Sequence, residues 1–201
     1  MSWKLAGISL LGLALGLGGS TPAAAAENTP RVSLQTSMGE IVLELDREHA
    51  PATVDNFLRY VREKHYDGMV FYRVVPRFVI QAGSYDAQGN HRQTRDPIPL
   101  EANNHLSNTR GSVAMARQDE PNSATAEFFI DLSDLKGLDQ QADDMENKTG
   151  YAVFGHVVGG MDVVDAIAQV PLGGNGPFAG AAPTTPIVIQ KAAILDAAPP
   201  P

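Results

Sequence analysis

Short runs in which apolar and polar residues alternate dominate this sequence. They narrow the folds open to it more than any other feature. In Gly39–Leu45, Ile41, Leu43 and Leu45 fall on one side and Glu40 and Glu44 on the other, the period-two pattern of a half-buried strand. Residues 32–36 predict its hairpin partner across Ser37, Met38 and Gly39. Further strand-like runs cover 70–75, 77–81, 112–116, 127–131, 151–158 and 187–195. Pro76 separates the first two; it has no N–H for a ladder and marks a bend, a bulge or an edge. Only two stretches are helical. The first opens at Pro51, where a missing N–H costs nothing, and places Val54, Phe57, Leu58 and Val61 on one face, with Gly68 beyond its end. Met161, Val164 and Ile167 predict a shorter second helix. Residues 84–111 and 132–149 are polar and aperiodic, and 170–186 form a Gly/Pro/Ala loop. Seven or eight strands with two helices that do not alternate with them predict a mainly β chain. Its sheet is antiparallel, or a barrel, and not doubly wound α/β.

Composition removes several functions. A chain of 201 residues at 43% hydrophobic can bury a core of its own. Fifteen Lys and Arg against 23 Asp and Glu leave a net charge of −8. That is the wrong sign for tracking nucleic acid or anionic lipid. The absence of cysteine excludes a thiol nucleophile, a disulfide framework and Cys-ligated metal. His49, His65, His91, His105 and His156 show no metal-ligand spacing, and no nucleophile elbow, P-loop or H-E-x-x-H occurs. Gly173, Gly174 and Gly176 lack the lysine and helix of a phosphate cradle, and Asn147-Lys148-Thr149 is a glycosylation sequon short enough to arise by chance. No metal and no cofactor are expected.

The N-terminus predicts an address. Lys4, the apolar run 5–18 and Ala24-Ala25-Ala26 compose a cleavable export signal over 1–26, cut before Glu27. The run is short for a bilayer span; an uncleaved anchor is the alternative. The expected organisation is signal peptide 1–26, one folded domain 27–196 and a flexible Pro-rich tail 197–201. The expected destination is the periplasm, with no stable membrane association after cleavage.

Two segments carry candidate chemistry. In residues 71–83, Arg73 on a strand faces away from Tyr72 and Val74. A guanidinium among apolar neighbours needs a partner, and Gln81 across the turn is one; a solvated arginine on a surface strand is equally consistent with the pattern. In residues 115–129, Phe128 and Phe129 face opposite sides of a strand. Either one lines a pocket while the other packs the core, or both are core.

Taken in order, F-Y-R-V-V-P-R-F-V-I-Q-A-G (71–83), G-S-V-A-M-A-R (111–117), S-A-T-A-E-F-F-I (123–130) and Y-A-V-F-G-H-V-V-G-G-M-D-V-V-D (151–165) resemble the cyclophilins, especially the short bacterial type. The resemblance covers about Val32 to Leu195. It implies a closed eight-stranded antiparallel β-barrel capped by two α-helices. It also implies peptidyl-prolyl cis-trans isomerase activity on proline-containing unfolded or flexible polypeptides. A monomer is expected, because no long apolar exposed stripe is evident. By position, Arg73 matches the catalytic arginine, Phe78 and Phe129 the aromatic floor of the proline pocket, and Gln81 the glutamine that binds substrate and orients the arginine. Ala116 and Arg117 match the strand that pairs with the substrate backbone, Leu138 an apolar wall, and Val79 a position often held by methionine.

Four positions depart from the family's patterns. Glu127 stands where the family usually has glutamine, Gly137 where eukaryotic members carry tryptophan, Tyr151 where they have a pocket histidine, and Tyr72 replaces a histidine beside the arginine. Gly137 removes a residue that contacts cyclosporin in the family; Glu127 adds a charge that either holds Arg73 or quenches it. The implied reaction breaks no covalent bond. It lowers a rotation barrier of about 18–20 kcal/mol, and a donor aimed at the prolyl nitrogen favours the twisted state over the planar one. Arg73 is such a donor and is charged at every working pH. A proline-segment binding module or chaperone with little turnover is the alternative.

Overall fold

A computed structural model describes residues 29–140, 149–174 and 178–195. The export signal assigned to 1–26, the tail 197–201, and Asn147 and Lys148 of the sequon lie outside the described residues. In chain order the elements are β1 (Arg31–Thr36), β2 (Gly39–Leu45), α1 (Pro51–Arg62), β3 (Met69–Val75), β4 (Val79–Asp86), β5 (Ser112–Met115) and β6 (Phe128–Asp131). A 3₁₀ turn (Lys136–Leu138), β7 (Val153–Gly159), α2 (Met161–Ile167) and β8 (Ile189–Leu195) follow. The mainly β, eight-stranded, two-helix architecture is as expected.

All eight strands join one antiparallel sheet in the order β3-β4-β6-β5-β7-β2-β1-β8. Its closure differs from the expected barrel. The ladder is continuous from β3 to β8, but those two end strands meet only near an isolated bridge, Val70 with Val188. Phe71 N–H donates to Ile187 O at 3.0 Å and Gly68 N–H to Ile189 O at 2.8 Å. The sheet is a half-barrel pinned along its open side. Register shifts in β3 at Met69/Phe71 and Phe71/Arg73 bend that strand. Pro183 and Pro186 ahead of β8 have no N–H to extend a ladder.

Alternation along the strands builds two apolar clusters. Inward residues such as Leu34, Ile41, Leu43, Ile80, Met115, Phe128 and Phe154 form the main core. Val54, Phe57, Leu58 and Val61 of α1 complete it, together with Val164 and Ile167 of α2. Helix α1 packs against β8 and α2 against β2. Outward residues of four adjacent strands form a second, smaller cluster: Val79 of β4, Ala114 of β5, Phe129 of β6 and Val153 of β7. The strand expected at 77–81 begins at Val79, because Pro76 and Arg77 form the hairpin turn instead. Phe78 N–H closes that turn on Val75 O at 2.9 Å, and Arg77 takes φ 63°.

Candidate active site

The outer cluster is the floor of a cavity of about 310 Å³. Phe129 lies between Gln81 on β4 and Ala114 on β5 in the ladder. Its ring meets Tyr151 edge-on at 5.5 Å. Phe78, Val79 and Leu138 close the apolar sides. Leu138 sits on the 3₁₀ turn, which is held from beneath. Asn108 donates through its backbone N–H and Nδ2 to Asp139 at 2.7 and 2.8 Å, Ser107 Oγ donates to the other carboxylate oxygen, and Tyr151 N–H donates to Leu138 O at 2.9 Å.

The polar rim is Arg73, Gln81, Ala116 and Arg117. Arg73 donates from Nη1 to Gln81 Oε1 at 2.9 Å. Its guanidinium lies over two rings, Phe78 at 5.9 Å and Phe178 at 5.8 Å. Gln81 in turn donates from Nε2 to the Tyr72 hydroxyl at 2.6 Å, and that hydroxyl donates to Glu127 Oε1. Burial pushes the Tyr72 hydroxyl well above the ordinary phenol range, and the Glu127 charge adds to it. Arg117 spends its donors on backbone, to Gly150 O at 2.9 Å and Gln118 O at 2.8 Å, with its guanidinium 5.0 Å from the Tyr151 ring centre. Ala116 N–H donates to Glu127 O at 3.0 Å.

Nine of the ten candidate residues therefore border one cavity: Arg73, Phe78, Val79, Gln81, Ala116, Arg117, Phe129, Leu138 and Tyr151. Glu127 does not line it; its carboxylate connects through Tyr72 and its backbone carbonyl accepts from Ala116 N–H. Among the described residues no ion pair joins Glu127 to Arg73. Of the two readings of Arg73, the partnered one holds, with Gln81 as partner. Of the two readings of Phe128 and Phe129, the split one holds: Phe128 is in the main core and Phe129 in the outer cluster.

Tyr72 corrects the expected alternation. It was expected to face away from Arg73, yet both belong to one hydrogen-bonded chain. The register jumps from Phe71↔Ala82 to Arg73↔Gln81, so Tyr72 is an extra residue in a bulge. A bulge re-aims a side chain that strict alternation would send elsewhere. Gly83 makes the rest of the chain reachable. It has φ 111°, and a Cβ there would lie 2.6 Å from Ala126 O. Only glycine lets β4 come this close to the segment carrying Glu127. That segment is anchored from the core side by Asn56 Nδ2 donating to Thr125 O at 2.6 Å and by Tyr66 O–H donating to Ala126 O at 3.0 Å.

Phe178 escaped the sequence reading. It is 43% exposed in an aperiodic loop, and its ring lies 5.5 Å from that of Tyr72; no periodicity marks such a residue. Gly137 is exposed, and a Cβ there would meet nothing within 4 Å. Among the described residues no group of three or more His, Asp or Glu is placed to hold a metal ion.

Comparison with known proteins agrees with this geometry. Residues 31–194 match the family described as cyclophilin type peptidyl-prolyl cis-trans isomerase/CLD. Peptidyl-prolyl cis-trans isomerase A of Dickeya dadantii (strain 3937) is 44% identical over 181 residues, covering 90% of this chain and 93% of the relative. A peptidyl-prolyl cis-trans isomerase of Streptomyces antibioticus is 48% identical over 164 residues, covering 82% and 98%. The fold matches a crystal structure of a Cryptosporidium parvum cyclophilin type peptidyl-prolyl cis-trans isomerase. The TM-score is 0.69 at 22% identity, over 85% of this chain and 99% of that one. The same Cryptosporidium protein in the presence of the dipeptide Ala-Pro matches with TM-score 0.68. Motif order, sheet, cavity and relatives agree, and this chain belongs to the cyclophilin-type peptidyl-prolyl cis-trans isomerase family.

Proposed function

We propose that this protein catalyses cis-trans rotation about Xaa-Pro bonds in unfolded or flexible exported polypeptides and so assists their folding. One observation carries the mechanism. The Arg73 guanidinium stands at the rim of an apolar cavity, and its hydrogen bonding among the described residues is the single bond to Gln81. A guanidinium has five N–H donors, so four are free to meet a substrate. The proline ring fits among Phe78, Phe129 and Leu138. The Ala116 N–H is already bonded, so pairing with a substrate backbone at that residue falls to its carbonyl.

The rate gain comes from the difference between two states. In the planar amide the prolyl nitrogen has no lone pair to offer, because resonance uses it. In the twisted amide the lone pair returns and accepts from Arg73. An interaction present only in the twisted state lowers the barrier. No nucleophile, metal or cofactor takes part. The Ala-Pro dipeptide present with the Cryptosporidium protein supports a proline-containing ligand for the cavity.

The test is magnetisation-exchange NMR of an Ala-Pro peptide with the protein and its Arg73→Ala variant. Arg73→Ala should lose most of the exchange enhancement, on the order of a hundredfold or more for a charged donor at the reacting atom, with its folded spectrum intact. A folded variant that still turns over at the parental rate overturns the assignment. Peptide binding by the parent without faster exchange supports a proline-segment binding module instead. For the export address, the leader reading expects Glu27 as the N-terminal residue of protein recovered from the periplasm. A protein that keeps Met1 overturns it.

A further inference from the structure

We propose that Glu127 is a positioning residue that sets the direction of hydrogen bonding through Tyr72 and Gln81, and thereby holds Arg73 in its working orientation. This rests on the reading of Arg73 given above.

The argument follows the protons. A carboxylate accepts and cannot donate. The single proton of the Tyr72 hydroxyl therefore points at Glu127, and burial keeps that proton on the oxygen. The same oxygen is left with acceptor capacity only, and it takes Gln81 Nε2 at 2.6 Å. Gln81 has then turned its NH₂ toward Tyr72, and its carbonyl oxygen faces Arg73 at 2.9 Å. A glutamine amide has two orientations of nearly equal shape. In the other one NH₂ would meet the guanidinium, donor against donor. Arg73, which can only donate, and the carboxylate, which can only accept, select the same orientation from the two ends of the chain. Tyr72 is 5% exposed, and where water is scarce a mismatched pair costs most.

Glu127→Gln removes the acceptor-only end of the chain and leaves Arg73 alone to select, with almost no change of shape. An amide can donate, so the chain can reverse: residue 127 donates to the Tyr72 oxygen, Tyr72 donates to Gln81 Oε1, and the Gln81 NH₂ faces Arg73. Glu127→Asp remains an acceptor on a shorter arm. Tyr72→Phe keeps the ring and cuts the chain at its middle.

The experiment measures kcat and KM for an Ala-Pro peptide by NMR exchange, at one pH, on the protein, E127Q, E127D, Y72F, R73A and the double variant E127Q/Y72F. Glu127→Gln and Tyr72→Phe should each lower kcat about tenfold, the loss expected for one mispaired hydrogen bond to a charged group. KM should stay within about twofold. Glu127→Asp should retain more activity than Glu127→Gln. The double variant should be no slower than Tyr72→Phe alone, because the hydroxyl is the side-chain link from residue 127 to Gln81. The Gln81 side-chain amide signals should shift in Glu127→Gln while backbone signals of the core strands stay in place.

An unchanged kcat in Glu127→Gln overturns the proposal. So does a further full loss when Glu127→Gln is added to Tyr72→Phe, or a rise in KM at constant kcat. The Arg73→Ala arm separates this from the reading beneath it. If Arg73→Ala is active, the catalytic assignment fails. If Arg73→Ala is inactive and Glu127→Gln matches the parent, only the positioning role fails.

Discussion

Asp131 shows how far one side chain can tilt this molecule. It ends β6 with no exposure, and among the described residues neither carboxylate oxygen has a hydrogen-bond partner. Burial, with the charge of Asp139 added, pushes its pKa up to about 8. The folded chain thus holds a proton that the unfolded chain releases near pH 4. Below that range both states are protonated and no cost arises. As pH rises toward 8 the unfolded state ionises alone, and stability falls. Asp131→Asn should cancel this slope. The variant should gain about 3 kcal/mol on the parent between pH 5 and pH 8 in urea unfolding; parallel curves would refute it. Arg73, Gln81 and Phe129 could be found in the sequence because ordered motifs surround them. Asp131 could not be found, because its meaning depends on a burial that period-two alternation does not measure.

Between β3 and β4 the chain turns on Val75, Pro76, Arg77 and Phe78, closed by the bond from Phe78 N–H to Val75 O. Proline presets the second position of such a turn, and the third requires positive φ. Arg77 occupies that third position at φ 63°, exposed, with its backbone carbonyl accepting from Ser133 Oγ at 2.7 Å. A non-glycine residue there costs about 1–2 kcal/mol, of which glycine's extra freedom in the unfolded chain takes back about 0.4–1. Arg77→Gly should therefore raise Tm by about 2–4 °C. Turnover should not change, since Arg77 lies outside the cavity; a lower Tm would show that the strained residue is compensated elsewhere. The same hairpin shows what elements conceal from sequence. Pro76 announced an interruption, and Phe128 and Phe129 obeyed alternation. The extra residue at Tyr72 left no mark, because a bulge is fixed by the partner strand's register and not by composition. Phe178 was hidden for a related reason: a loop has no period against which an aromatic packed beside Arg73 and Tyr72 stands out.

At the scale of the whole sheet, the site is mounted beside the weakest seam. Strands β1 and β2 are each laddered on both sides. Strand β3, which carries Tyr72 and Arg73, is laddered only to β4. Its other edge has the Val70 bridge and a few backbone bonds, including Val74 N–H to Ala181 O at 2.8 Å. Opening that edge gives up few bonds, whereas opening β1 gives up two ladders. Local opening follows such differences. In amide exchange followed by NMR, Gly68, Phe71 and Val74 should exchange at least about tenfold faster than the slowest amides of β1 and β2, a gap of about 1.4 kcal/mol. Equal protection would mean that the half-barrel behaves as a closed one. A saturating Ala-Pro peptide should then slow Val74 more than the β1 amides, because a ligand held by Arg73 stabilises only states in which β3 is in place. On the proposed mechanism Arg73 must be held still while a prolyl bond turns. The exchange rates would measure how much of that stillness belongs to the fold and how much the substrate supplies.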